Sequence, residues 1–224
     1  MARTAPNPPA APPAPVPERP TLPRLRSAVQ ECRACELWAG ATQAVFGEGP
    51  ARAEAILVGE QPGDREDVQG APFVGPAGRL LDRALEEAGI AREQVYLTNA
   101  VKHFRYRARG KRRIHQRPEA VHLAACRPWL EAELAVVRPR VLVCMGAVAA
   151  QALLGSRVRV TRDRGRPLDS PLAADVSVTV HPSAILRAPD EAARRAAYDA
   201  FVADLARVAG VLGRGGFRLA RPGR

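Results

Sequence analysis

The residues able to do chemistry fall into three groups. Cys32-Arg33-Ala34-Cys35 is a C-x-x-C pair, a spacing that suits a metal or redox site. Cys126 and Cys144 are the remaining cysteines. With no secretory signal, a disulfide framework is not expected. The second group is the run RGKRRIHQR, residues 109–117, which packs five basic residues and one histidine around a single isoleucine. Basic runs grip phosphate, but that role does not account for Ile114 and His115. The third group is scattered along the chain: Glu60-Gln61, Asn99, Gly146 and His181, each directly after an apolar run.

The elements that must position these groups follow from hydrophobic periodicity and turn chemistry. AEAILVGE (53–60), QVYLTNAV (94–101), RVLVCMG (140–146) and DVSVTVHP (175–182) read as buried strands. Helical spacing predicts helices over 76–90, 118–137, 147–155 and 189–210, with a short one over 28–38 carrying the C-x-x-C pair. Gln61-Pro62-Gly63-Asp64 reads as a turn. Alternating strands and helices predict a three-layer α/β/α sandwich around a four-stranded, mostly parallel sheet. Ligands of such sheets bind beyond the carboxyl ends of the strands. Glu60-Gln61, Asn99, Gly146 and His181 all fall there, and three of these four ends are polar.

The formal net charge is +11 and the isoelectric point about 10.8. That excess favours a polyanionic partner, nucleic acid first and an anionic membrane second. No stretch has the length of a transmembrane helix. Residues 1–22 are rich in proline and alanine and read as a disordered arm. They lack the continuous apolar core of a signal peptide. Residues 23–210 form one domain and 211–224 a basic tail. The expectation is a cytoplasmic, nucleoid-associated monomer.

GEQPGDREDVQGAPFVGPAGRLLDRAL (59–85), TNAVKHF (98–104), ACRPWLEAEL (125–134) and VHPSAILR (180–187) occur in that order. Together they resemble the motif blocks of the uracil-DNA glycosylase superfamily, from about Cys32 to residue 208. The chain looks like the iron–sulfur, family 4-like branch. Gly-Glu-Gln-Pro-Gly and KRRIH point further, to the UdgX group, known for covalent attachment to uracil-containing DNA.

The resemblance implies roles, each with a bland counterpart. Phe73 matches the residue that stacks on uracil, though a phenylalanine in such a turn is often plain core. Asn99 matches the reader of the Watson–Crick edge, its amide offering donor and acceptor side by side. His181 matches the histidine near uracil O2, with Ser183 in the same block. Glu60 orients water or stabilises the cationic sugar. In the UdgX reading it instead partners His115, which captures C1′. Gly59, Gln61 and Asp64 shape the first-strand turn, with Gln61 holding the loop by hydrogen bonds. Arg113 pins that loop or touches phosphate, and Ile114 seats it in an apolar slot. Lys111, Arg112 and Arg187 are candidates for the DNA backbone. Segment 102–117, Lys102 included, otherwise reads as a mobile phosphate-binding loop.

Cys32, Cys35 and Cys126 match three ligands of the family's [4Fe–4S] cluster. Where the family has a fourth cysteine this chain has His103, so the implied set is Cys32, Cys35, His103 and Cys126. A Cys3His zinc site is the rival, and Cys144 reads as a core thiol. Three functions remain open: a glycosylase trapped on its product through His115, a conventional multiple-turnover glycosylase, and a silent nucleic-acid-binding protein. The partner expected throughout is uracil-containing DNA, plausibly single-stranded.

Overall fold

A computed structural model describes residues 12–213. The basic tail from 214 onward and residues 1–11 of the arm lie outside the described residues. Four apolar runs form parallel strands as the sequence predicts: β1 (Ala55–Gly59), β2 (Val95–Asn99), β5 (Val141–Met145) and β7 (Asp175–Thr179). The sheet has five strands, one more than expected, in the order β2-β1-β5-β7-β6. The added β6 (Pro167–Leu168) is two residues long and pairs antiparallel at the edge of β7. Proline is tolerated there because an edge strand need not donate to a neighbour.

Successive residues on a strand point to opposite faces, and the core divides accordingly. Ile56, Val58, Leu142, Cys144, Val176 and Val178 face one apolar layer, formed with α1 (Leu22–Ala28), α5 (Ala120–Val137) and α6 (Ala147–Leu154). Ala55, Leu57, Val141, Val143 and Met145 face the other, formed with α4 (Pro76–Glu87) and α9 (Glu191–Gly213). Both faces are covered, which is why the strands read as unbroken apolar runs rather than alternating ones. Ala14 and Val16 pack against the first layer, so packing begins before residue 23.

Two local expectations need correction. The helix over 28–38 is interrupted: α1 ends at Ala28, Val29–Glu31 make one 3-10 turn, and α2 covers only Leu37–Gly40. The C-x-x-C pair therefore sits in the break. The basic segment is a β-hairpin rather than a loop, with β3 (Tyr106–Arg109) antiparallel to β4 (Arg112–His115). Its two-residue turn places Gly110 at φ +58°, a left-handed conformation natural to glycine. Three short helices complete the fold: α3 (Asp64–Gln69), α7 (Val160–Asp163) and α8 (Pro182–Leu186). Among the described residues no helix is long and apolar enough to cross a membrane.

Candidate active site

β1, β2 and β7 end at the same edge of the parallel sheet, with β5 between β1 and β7, and the residues at and just beyond their ends converge. Gly59 pairs with Asn99 across the β1–β2 ladder. A Cβ at Gly59 would overlap Asn99 Oδ1, lie 2.7 Å from the tip of the Phe73 ring and 3.4 Å from His181 Nε2. Glycine is needed here because three side chains from three segments meet over its Cα. Gly146, after β5, leaves room in the same way: a Cβ there would lie 3.0 Å from that of His181.

Phe73 is held by strain that the surroundings enforce. It has φ +58°, unusual for a residue with a side chain. Its carbonyl lies so close to the first turn of α4 that a Cβ at Gly78 would be 1.5 Å from it. Pro76 at the start of α4 fits the helical φ. Glu66 Oε1 accepts the Gly75 N–H at 2.7 Å and locks the turn in place. The Phe73 ring then lies 6.2 Å from that of His181, 28° from parallel.

The cavity beyond these strand ends measures about 410 Å³. Gln61, Asp64, Glu66, Phe73, Asn99, His115, His181, Ser183 and Arg187 line it. A larger, more open hollow of about 1020 Å³ lies at the opposite end of the sheet, against Arg52, Glu54, Arg138 and Arg140. No histidine or cysteine lines it, whereas the smaller cavity gathers Asn99, His115 and His181.

His181 has a defined tautomer in this hydrogen-bond network. The Ser183 N–H donates to Nδ1 at 3.2 Å, with the Ser183 hydroxyl 2.8 Å from the same atom. Nδ1 is thus an acceptor, and Nε2, which faces the cavity, carries the proton. Burial, with Arg187 and His115 adding to it, lowers the His181 pKa to about 4 and keeps the ring neutral. Glu60 has the opposite problem. Burial raises its carboxyl pKa, only partly offset by Arg117 and Arg187. Its Oε1 is buried without a hydrogen-bond partner, and His115 Nε2 stands 3.5 Å away. The His115 pKa is lowered, first by burial and then by Arg187.

His115 reaches this point because the hairpin is fixed on one side. Directly opposed residues of an antiparallel pair share a face. Tyr106 with His115 and Ala108 with Arg113 form one face; Arg107 with Ile114 and Arg109 with Arg112 form the other. On the inner face the Arg113 guanidinium bonds Asp64 Oδ1 at 2.6 Å and the buried Asp67 carboxylate. It also lies 5.5 Å from the Phe104 ring and 5.2 Å from that of Tyr106. Ile114 belongs to the outer face and is exposed, so it fills no apolar slot. Lys111 at the tip and Arg112 are exposed beside it.

Gln61 closes the base of the hairpin. Its Nε2 donates to the carbonyls of Arg105 (3.1 Å) and Gln116 (3.0 Å), and its Oε1 accepts the Arg105 N–H (3.1 Å). Glu60 is the adjacent residue, so these bonds tie the strand end to the hairpin.

Cys32, Cys35, His103 and Cys126 are all buried, Cys35 and Cys126 within one small apolar cluster. Burial raises the Cys126 thiol to about 12 and also raises Cys35, with the neighbouring cysteines adding to each shift. Two N–H groups point at sulfur: Trp129 Nε1 at 3.3 Å from Cys32 Sγ, and the Lys102 amide at 3.5 Å from Cys126 Sγ. Such donors suit thiolate ligands. Among the described residues, no three His, Cys, Asp or Glu side chains converge as a single ion requires. Three thiols and one imidazole are a donor set that an iron–sulfur cluster and a zinc ion both accept. Cys144 is fully buried in β5, its thiol raised to about 12 by burial.

Several functional contacts escaped the sequence reading. Lys102 is not part of the basic patch. It is buried, its Nζ paired with Glu133 and donating to Thr98 Oγ1 (2.8 Å) and to the Asn99 carbonyl (2.9 Å). Glu133 also accepts from Tyr96 (2.9 Å) and from the Gly47 N–H (3.2 Å). A signal was present: Cys126, Trp129, Leu130, Glu133, Leu134 and Val137 share one helical stripe, and a carboxylate in such a stripe calls for a buried partner. Glu66 and Asp67 carried no such sign. His122 is buried too. It accepts the Glu119 N–H at 2.8 Å and reaches Glu36 at 2.6 Å, tying the residue after Cys35 to the start of α5.

Residues 46–206 match the uracil DNA glycosylase superfamily, and the chain belongs to it. Several curated relatives carry the name type-4 uracil-DNA glycosylase. The Thermotoga maritima protein is 40% identical over 168 residues, covering 75% of this chain and 84% of its own length. The Pyrobaculum aerophilum protein is 34% identical over 175 residues, covering 75% of this chain and 86% of its own.

Proposed function

We propose that this protein is a uracil-DNA glycosylase that hydrolyses the bond between uracil and deoxyribose and releases an abasic site. The names of the relatives support this activity. The observation that carries it is the convergence of Asn99, Phe73 and the protonated Nε2 of neutral His181 over Gly59.

A target base must leave the helical stack or be single-stranded to enter such a cavity. Phe73 would stack on it, and the Asn99 amide would read O4 and N3–H. As the glycosidic bond breaks, the electron pair stays with the base and the sugar becomes an oxocarbenium ion. A neutral donor at O2 strengthens its bond as that oxygen gains charge. His181 Nε2–H suits this role. Glu60, with its unpartnered oxygen, would accept a proton from the water that attacks C1′. Asp64, through Arg113, holds the hairpin beside this point.

A second reading rests on His115, 3.5 Å from that same oxygen. In the manner of the UdgX group, one imidazole nitrogen gives its lone pair to C1′ and the other releases its proton to Glu60. The product is a neutral substituted imidazole, a poor leaving group, and the enzyme stays on the DNA. Incubation with a uracil-containing oligonucleotide, followed by a denaturing gel, separates the readings. Abasic product in excess of enzyme establishes turnover. A one-to-one band that resists heat and detergent and disappears in His115→Ser establishes capture. Retardation only under native conditions overturns both.

Cys32, Cys35, His103 and Cys126 would hold a [4Fe–4S] cluster, which would staple the segment before the hairpin to α5. Support comes from their shared burial and the two N–H donors at sulfur. Brown protein absorbing near ~400 nm, with iron and sulfide bound, is the expected result. Colourless protein holding zinc overturns it.

A further inference from the structure

We propose that Trp38, backed by the Arg33 guanidinium, is a stacking platform for a base of the single-stranded DNA that flanks the nucleotide in the cavity. The inference rests on the glycosylase reading and extends it to a surface outside the pocket.

Trp38 is 41% exposed, the only exposed aromatic among the described large hydrophobics. The other tryptophan, Trp129, is fully buried and donates to Cys32 Sγ. Packing and sulfur hydrogen bonding are thus supplied by Trp129, not by Trp38. The Arg33 guanidinium lies over the Trp38 ring, 4.4 Å from its centroid. Arg33 is itself anchored, donating to the carbonyls of Gln30 (2.9 Å) and Cys32 (3.1 Å). An oriented indole with a cation on one face and open surface remaining suits a nucleobase. Every base has a π-face, and a guanidinium beside it favours the adjoining phosphates.

The surface connects to the cavity in two steps. Tyr106 lies opposite His115 on the inner face of the hairpin. Its hydroxyl donates at 2.9 Å to the carbonyl of Gly40, which lies with Trp38 on α2. The path from His115 to α2 is one tyrosine long. A strand with its target base in the cavity would pass the hairpin, whose outer face and tip carry Arg107, Arg109, Lys111 and Arg112. Within a few nucleotides it would reach Trp38.

The test uses full-length protein and single-stranded oligonucleotides of decreasing length. On a long, uracil-free oligonucleotide, Trp38→Ala should weaken binding about 5- to 150-fold, the range of one base–aromatic stack, and Trp38→Phe should restore most of it. The difference should vanish on oligonucleotides too short to span cavity and platform. Wild-type affinity in Trp38→Ala overturns the proposal, as does an equal loss at every length. Acrylamide quenching gives an independent measure in the unaltered protein, since Trp129 is enclosed. Saturating oligonucleotide should protect the accessible indole, and unchanged quenching overturns the platform. Absence of uracil release would sink the glycosylase reading while leaving these binding results intact.

Discussion

Burial shifts the Glu60 and His181 pKa values in opposite directions, yet acid works against both. The Glu60 carboxyl is raised above its ordinary 4.5 by burial, so its charged form is lost at a higher pH than usual. Uracil release should fall as pH drops through that raised value, and Glu60→Gln should remove this limb along with most of the rate. A pH–rate profile of both proteins checks it. His181 binds its proton less readily folded than unfolded. Its contribution to stability is complete above pH 6.5, and is lost as pH falls toward its folded value of about 4. Thermal unfolding across that interval should show the decline, and His181→Asn should flatten part of it. Asn99 and His181 were legible in the sequence because strand ends are where such sheets place ligands. Glu66 and Asp67 were not, since a carboxylate in a polar turn looks the same whether it faces water or buries itself beneath an arginine.

The hairpin is an element with two unlike faces, held by the pairing of Arg113 with a fully buried Asp67. Arg113→Ala would strip that carboxylate of its cation while the donors of Thr42 remain. The expected cost is about 1–3 kcal/mol. It should appear as a lowered Tm and faster amide exchange over residues 106–115. Hydropathy did not reveal these strands, because neither face is apolar: arginines line the outer one, and His115, Arg113 and Tyr106 the inner. Only Gly110 marked a turn. The helix predicted over 28–38 failed for a related reason. Its apolar spacing was real, but Cys32 and Cys35 face the interior from a break that the pattern does not register.

Across the whole molecule, the net charge of +11 resolves into fixed and free arginines. Arg113, Arg164 and Arg207 are committed to Asp67, Asp204 and Asp175, and Lys102 to Glu133. The outer face of the hairpin is exposed. Single-strand binding should therefore weaken with salt, and Lys111→Ala with Arg112→Ala should each flatten the log–log slope by about 0.7. A slope unchanged in the double variant would place the phosphates elsewhere. The central sheet was the most legible part of the fold. Its strands are covered on both faces and so stand out as apolar runs. The two-residue β6, with its proline, is too short to leave any pattern.

The chain enters and leaves the hairpin at a single point: the Gln116 N–H bonds the Arg105 carbonyl at 2.9 Å, and Gln61 grips both. Residues 106–115 are therefore a detachable cassette. Excising them and joining Arg105 to Gln116 through a short turn should leave the α/β body folded and the floor of Gly59, Phe73, Asn99 and His181 whole. A scaffold built this way can gain or lose an imidazole beside its cavity through one insertion, without redesign of the sheet whose ends carry Asn99 and His181.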